Sequence, residues 1–278
     1  MKNLYKFIAD PSAVPFLLRG LIKFTPPAEL NDPSELTSNV IHEEVVKSLE
    51  RIRKNGYTAE DMVNLRRQQN LFRLAPQFQV VKVPETREQA TALVRSAFYD
   101  QISILEQRLS DMLRGVSSKV GLFCLSLRYD SLPMWAHYAN NAAGLVVEFV
   151  GLEEVFKGDD TGVLSQPIAV RYERDRRSVT FDTQSHESLF FEKFPDWSYE
   201  KEVRVVLPLA DCSTELIGDR HLAIREIPRK CISRLFLGWN MPKNVRQDIQ
   251  LHVQELNSEV EVVDARIVHG RVEFAVFC

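Results

Sequence analysis

What the chain lacks narrows its chemistry first. It carries no Gly-x-x-x-x-Gly-Lys phosphate loop and no Gly-x-Gly-x-x-Gly fingerprint, so neither common glycine cradle for a phosphate is present. It has no His-Glu-x-x-His helix and no Gly-x-Ser-x-Gly elbow, which sets aside a zincin and a serine hydrolase of that type. The histidines, at 42, 137, 186, 221, 252 and 269, never fall at metal-ligand spacing, and no metal is expected. The four cysteines, Cys124, Cys212, Cys231 and Cys278, form no Cys-x-x-Cys pair, and this usage suits a reducing compartment. No apolar run reaches the roughly 18 residues that cross a bilayer. The stretch Met1 to Phe7 lacks the apolar core of a signal peptide. A cytoplasmic protein without membrane contact is therefore expected. A net charge of -3 supplies no overall positive field for nucleic acid, although a local basic groove stays open.

What is present is an ordinary globular composition, 45% hydrophobic and 26% charged over 278 residues, read as a single domain over 1–278. Leu4 to Ile8 and Leu21 to Phe24 read as short strands, with a helical turn or two from Val14 to Gly20 between them. Asn31-Asp32-Pro33 reads as a turn, because both Asx side chains can bond nearby backbone. From Leu36 to Gly115 glycine nearly vanishes and a helical period takes over. Ile41, Val45, Leu49 and Ile52 mark a helix closed by Asn55-Gly56, and Thr58 opens a shorter one. Phe78 to Val83 reads as extended. Glu85 to Leu113 reads as the longest helix, with Phe98, Ile102, Leu105, Leu109 and Met112 as its packing stripe. Residues 36–115 are thus expected to form a helical insertion.

Val120 to Leu127 then reads as a buried strand, Pro133 to Ala139 as a short helix and Gly144 to Phe149 as a strand. Gly151 to Gly162 reads as a polar loop, Ile168 to Tyr172 as a strand and His186 to Phe194 as a helix. Arg220 to Ile227 and Ile232 to Leu237 are further strands. A helix follows with Val245, Ile249, Val253 and Leu256 inward. Val260 to Val263 is another strand. Arg266 to Val268 and Val272 to Phe277 pair as a hairpin at His269-Gly270. The pattern gives an α+β class: a mixed, mostly antiparallel β core, in one sheet or split sheets, with the helical insertion.

The densest chemistry lies in Trp197-Ser-Tyr-Glu-Lys-Glu-Val-Arg-Val-Val-Leu-Pro208. In an extended chain Glu200, Glu202 and Arg204 would share one face, and Tyr199, Lys201, Val203 and Val205 the other. Two carboxylates and a guanidinium suit a site in which one carboxylate deprotonates or orients and the arginine holds an anion. They suit equally a solvated strand face with an ion pair. Trp135, His137 and Tyr138 crowd one short element, either as packed residues or as groups of a site.

The motifs fall in order along the chain. They are Leu4-Tyr5-Lys6-Phe7; Asn31-Asp32-Pro33; Phe123-Cys124-Leu125-Ser126; Met134-Trp135-Ala136-His137-Tyr138-Ala139 with Gly144; Lys193-x-x-x-Trp197-x-Tyr199-Glu200-x-Glu202-x-Arg204; and Leu237-Gly238. Together they resemble the bacterial domain-of-unknown-function family "twenty-nine seventy-one" over nearly the whole chain. That family implies no established activity. More weakly, Glu200-Lys201-Glu202-Val203 is similar to the Glu-x-Glu strand of ADP-ribosyltransferases. This second resemblance implies an NAD-consuming enzyme, a transferase or an NAD glycohydrolase, of the toxin or phage-defence kind. In it Glu202 stabilises an oxocarbenium-like ribose and Glu200 selects or activates the acceptor. Lys6 stands where those enzymes carry His or Arg beside the NAD ribose and phosphates, and lacks the arginine fork. Tyr5, Trp135, Tyr138 or Trp197 would stack a flat ring, and Asn31, Asp32 and Ser126 would bond ribose hydroxyls. Arg204 or Lys193 would hold phosphate, and His137 is counted with the site.

NAD is accordingly the expected substrate and a small molecule or nucleotide the expected partner, with the acceptor and any oligomer left open. Two alternatives remain beside it. One is a non-catalytic binding module in which Lys6, Asp32, Glu202 and Arg204 form a buried ion-pair network. The other is a metal-dependent nuclease with Asp32, Glu200 and Glu202 as magnesium ligands and Lys193 near the phosphate.

Overall fold

Alternating apolar residues build a central sheet with two covered faces. The computed structural model describes residues 3–32, 42–63, 65–66, 84–96, 107, 110–111, 114–157, 165–173, 190–217 and 220–276. In chain order its elements begin with β1 (Leu4–Ile8), α1 (Val14–Leu18), β2 (Leu21–Phe24), α2 (His42–Asn55) and α3 (Arg87–Ser96). They continue with β3 (Val120–Ser126), α4 (Leu132–Tyr138), β4 (Leu145–Phe149), α5 (Leu152–Val155), β5 (Ile168–Ala169), β6 (Arg171–Tyr172) and β7 (Glu192–Lys193). The last are β8 (Glu202–Pro208), β9 (Ser213–Ile217), β10 (Arg220–Glu226), β11 (Ile232–Leu237), α6 (Lys243–Leu256), β12 (Glu261–Val268) and β13 (Arg271–Val276).

The main sheet has eight strands in the order β13-β12-β11-β4-β1-β3-β8-β5. Its pairs are antiparallel except β11 with β12. A parallel pair needs a crossover, and α6 supplies it. Three strands, β2-β10-β9, form a smaller antiparallel sheet, and β6 pairs with β7 in parallel. The fold class is therefore α+β, mostly antiparallel, as the sequence pattern implies.

On one face of the main sheet, Leu4, Phe123, Leu125, Val147, Val203 and Val205 pack with α1, β2 and α6. Ile249 and Val253, four apart on α6, point into this core, and Val245 and Leu256 pack at its margin. On the other face, Tyr5, Phe7, Val146 and Phe236 pack with Trp135 of α4. Trp135 is fully buried, its indole N–H donates to the Tyr129 carbonyl at 2.8 Å, and its ring meets Phe7 edge-on at 5.6 Å. This wedge fixes α4 and thereby places Tyr138 at the helix end.

Among the described residues of 42–96, Ile52, Tyr57, Met62 and Ala90 form a separate small cluster. Gly56 ends α2 at φ 75°, as a left-handed cap requires. Thr58 and Asp61 bond each other's backbone N–H reciprocally, and so do Thr86 and Gln89 at the start of α3. Ile41, Phe78 to Val83 and the stripe from Phe98 to Met112 lie outside the described residues.

Several sequence expectations change in detail. The loop expected from Gly151 contains α5. Ile168 to Tyr172 is two strands in different sheets, because Val170 donates its N–H to the Glu202 carbonyl while Tyr172 turns toward β7. The described end of the expected His186 to Phe194 helix is strand β7, paired with β6. β9 carries no clear apolar alternation and was not expected. The strands expected at Val260 to Val263 and Arg266 to Val268 are joined in β12 (Glu261–Val268), and its hairpin turns at His269 and Gly270 with φ of 49° and 76°.

Candidate functional site

The sheet opens between β1 and β3. β4 matches β1 at five registered positions and β8 matches β3 at seven, yet β1 and β3 share one, Tyr5 with Ser126. Backbone polar groups along this seam need partners other than the neighbouring strand. The Lys6 ammonium fills one such place, donating to the Cys124 carbonyl at 2.9 Å. Beside it lies a cavity of about 230 Å³, lined by Tyr5, Lys6 and Phe7 of β1, Cys124, Leu125 and Ser126 of β3, the Thr25 and Glu29–Asn31 segment, Met134, Tyr138, Lys193, Glu200 and Glu202.

Glu200 and Glu202 reach this cavity by a route different from the expected shared strand face. Pro195–Glu200 is a tight 3-10 turn, and Lys201 adopts φ 46°, ψ 49° before β8 begins at Glu202. The left-handed residue reverses the chain so that both carboxylates converge on one ammonium. Lys193 Nζ lies 2.7 Å from Glu200 Oε2 and 3.3 Å from Glu202 Oε2. Lys193, Glu200 and Glu202 are 3%, 3% and 6% exposed. Burial of this kind is tolerated because each charge is paired.

The two carboxylates differ. Arg204 grips Glu202 through two bonds, Nε to Oε1 at 2.7 Å and Nη2 to Oε2 at 2.9 Å, and Nη1 donates to the Phe190 carbonyl at 2.9 Å. Burial pushes Glu202 upward, but the charge and hydrogen bonds of Arg204, then Lys193 and the Cys124 thiol, bring it down to about 2. Glu200 is raised instead: burial leads, Lys193 opposes it, and the Glu202 charge adds to it. Its Oε1 accepts from the Tyr138 hydroxyl, which itself accepts from Asn31 Nδ2 at 2.7 Å. Counting lone pairs, Glu202 is filled by Arg204, Lys193 and Cys124, whereas Glu200 keeps acceptor capacity.

Lys6 is half-buried, and burial lowers its affinity for a proton. Its ammonium also lies 5.2 Å from the Phe123 ring centre. Two cations, Lys6 and Lys193, thus line the cavity with Glu200 and Glu202, while Arg204 pairs with Glu202 and is no lining residue. At the rim, Glu29 is paired with Lys23 and Arg220.

The structure brings Tyr5, Lys6, Asn31, Ser126, Tyr138, Lys193, Glu200 and Glu202 together. Ser126 acts through backbone, donating to the Glu200 carbonyl at 2.6 Å and accepting from Arg128 N–H at 2.9 Å. Tyr5 donates to Glu148 Oε1 at 3.1 Å, and burial with that carboxylate pushes its phenol up to about 12. Five expected roles are not met. Trp135 offers no ring face to a ligand, because it is wholly enclosed by Phe7 and Trp239. Arg204, 1% exposed, is consumed by Glu202 and the Phe190 carbonyl and has no fork left for phosphate. Trp197 lies over the Lys193 ammonium at 4.7 Å and is no lining residue of the cavity. His137 is exposed and bonds Tyr199 through Nδ1 at 3.0 Å, away from the floor. Asp32 is buried next to Asn31, also outside the lining set. Sequence reasoning overlooked Tyr172, whose hydroxyl accepts the Glu202 N–H at 2.8 Å, and the part played by the Cys124 carbonyl and thiol. Neither carries a sequence signal, since both depend on strand neighbours far along the chain.

A comparison with family models matches residues 134–205 to one described as "Protein of unknown function (DUF2971)". The match covers the stretch from Met134 to Val205, including Tyr138, Lys193, Glu200, Glu202 and Arg204, but not the motifs at Leu4, Asn31, Phe123 or Leu237. No curated protein and no solved structure matches the chain, so the resemblance to ADP-ribosyltransferases finds no support there. Among the described residues no helix is long and apolar enough to cross a membrane, and no three His, Cys, Asp or Glu side chains are placed to hold a metal ion.

Proposed function

We propose that the seam cavity is the active site of an enzyme that breaks or transfers an N-glycosidic bond of a nucleotide, with NAD as the candidate substrate. The observation that carries this is a pair of buried carboxylates held on one lysine and pushed to opposite protonation tendencies. Such divergence separates an acid–base group from a fixed charge. Glu200, with its raised value and spare lone pairs, is the acid–base group. Glu202 is the fixed anion that holds Lys193 and Arg204 in place. The Lys6 ammonium, which bonds a neutral backbone carbonyl, favours a substrate bearing phosphate. At about 230 Å³ the cavity suits a ribosyl unit and its small leaving group, with the rest of a dinucleotide lying outside.

In the hydrolytic form, the C1′–N bond breaks with its electron pair leaving on nicotinamide. Glu200 takes a proton from the attacking water as the new C1′–O bond forms, and the Glu200 and Glu202 charges offset the cationic ribose. Purified protein incubated with NAD should release nicotinamide, and Glu200→Gln should lower the rate by about 100-fold or more. Absence of release across pH 5 to 9 would sink this reading.

A second reading is favoured by the near-complete satisfaction of Lys193, Glu202 and Arg204: a non-catalytic module whose polar network ties β7 to β8. It is separated from the first by Glu200→Gln, which would then leave every binding property of the protein intact.

A further inference from the structure

We propose that Tyr138 is the positioning residue for Glu200: Asn31 orders its hydroxyl, which donates into Oε1 and fixes both the aim and the proton occupancy of that carboxylate. The inference rests on the assignment of Glu200 as the acid–base group. The sequence offers Tyr138 as a ring that stacks a base, and its geometry gives it different work. It is the last residue of α4, whose position is set by buried Trp135 and by the turn through Asn140, Asn141 and Ala142, all at positive φ. A phenol has one proton and two lone pairs. Asn31 Nδ2 donates to the oxygen at 2.7 Å, which leaves the proton for Glu200. Burial, then the hydrogen bond and charge of Glu200, keep that phenol protonated well above the usual tyrosine range, so it stays a donor.

The other Glu200 oxygen is held by Lys193, so the carboxylate is clamped from two elements, α4 and β7. A ligand that displaced Asn31 at the cavity mouth would meet a Tyr138 already turned toward Glu200. The charged and titratable groups around Glu200 are Lys193 on β7, Glu202 and Arg204 on β8, Tyr172 on β6, Tyr199 in its own turn, Lys6 on β1 and Cys124 on β3. Tyr138 is the neighbour on α4 that bonds it directly, and a donor of this type favours the ionised carboxylate.

The test is a side-chain carboxyl titration of the full chain by carbon NMR, with the Glu200 signal assigned through Glu200→Gln. In Tyr138→Phe the Glu200 midpoint should rise by about one pH unit, the scale of a hydrogen bond to a charged group. Asn31→Ala, which leaves the phenol in place but unordered, should give a smaller rise of the same sign and serves where Tyr138→Phe does not fold. Midpoints unchanged from the parent in the variants that fold would overturn the proposal. Because the titration needs no substrate, it is independent of the NAD assay. A shifted midpoint without nicotinamide release sinks the proposed reaction and spares the role of Tyr138; release with an unshifted midpoint does the reverse.

Discussion

Glu200 and Glu202 stand two residues apart and respond to pH in opposite senses. Glu202 in the fold lies below the value of an unfolded glutamate. Its stabilising contribution is complete above the unfolded value and is lost as pH falls toward about 2. Glu200 is raised. Its contribution is complete below the unfolded value and is lost as pH rises through the folded one. The parent protein should therefore lose stability on both sides, and Glu200→Gln should flatten the alkaline side of that profile while the acid side persists. Denaturant titrations across pH 3 to 9 measure this, and an unchanged alkaline limb counts against the raised Glu200. Removing one member of the Glu202–Arg204 pair strands its partner in the interior. Glu202→Gln and Arg204→Met should each cost about 3–5 kcal/mol, with the double variant losing clearly less than the sum. Additive losses in a double-mutant cycle would show that the pair is not coupled. At this scale the sequence showed which side chains share a strand and was silent about their partners. The Glu-x-Glu-x-Arg spacing correctly put Glu202 beside Arg204 on one strand face. It could not show that Lys201 turns left-handed, so that Glu200 reaches Lys193 from a turn.

Among elements, the turn after α4 decides where Tyr138 stands. Two glycines from distant motifs meet there. A Cβ on Gly238 would lie 2.1 Å from the Ala142 carbonyl oxygen and 2.7 Å from that of Gly144, and one on Gly144 would lie 2.1 Å from the Ile8 carbonyl oxygen. Gly238 N–H also donates to the Gly144 carbonyl at 3.0 Å. Gly238→Ala should thus cost about 1–3 kcal/mol, as overpacking does, although it touches no cavity residue. Chemical denaturation checks the loss, and a variant as stable as the parent would mean that the backbone gives way easily. Both glycines were visible as motif members, but their contact is a tertiary fact that spacing cannot express. The strong strands, β3, β4, β8 and β11, and helix α6 were legible because their apolar periods are long. β7 was missed because two residues paired to a distant strand have no period to read.

For the whole molecule, the segment expected as a helical insertion and the sheet keep separate apolar clusters among the described residues. The chain on either side of the insertion is already joined, since Thr25 and Leu122 exchange both backbone hydrogen bonds, at 2.8 Å each. Replacing residues 36–115 by a flexible linker should leave a folded protein with a cooperative thermal transition, because loop length costs little once the ends are held. Loss of that transition would place the insertion within the sheet's folding unit. The change from strand periods to helical ones marked this segment in the sequence.

The poorly stitched line between β1 and β3 divides the eight strands into two panels, five on one side and three on the other. Lys6 and Tyr5 ride on the wider panel; Cys124, Ser126 and Glu202 ride on the narrower. A tilt of one panel against the other would widen or narrow the aperture between them without unzipping any well-paired strand. A guest molecule that bridges Lys6 and Glu200 would act as a rivet across that line, slowing deuterium uptake along β1 and β3 while leaving β12 and β13 as they were.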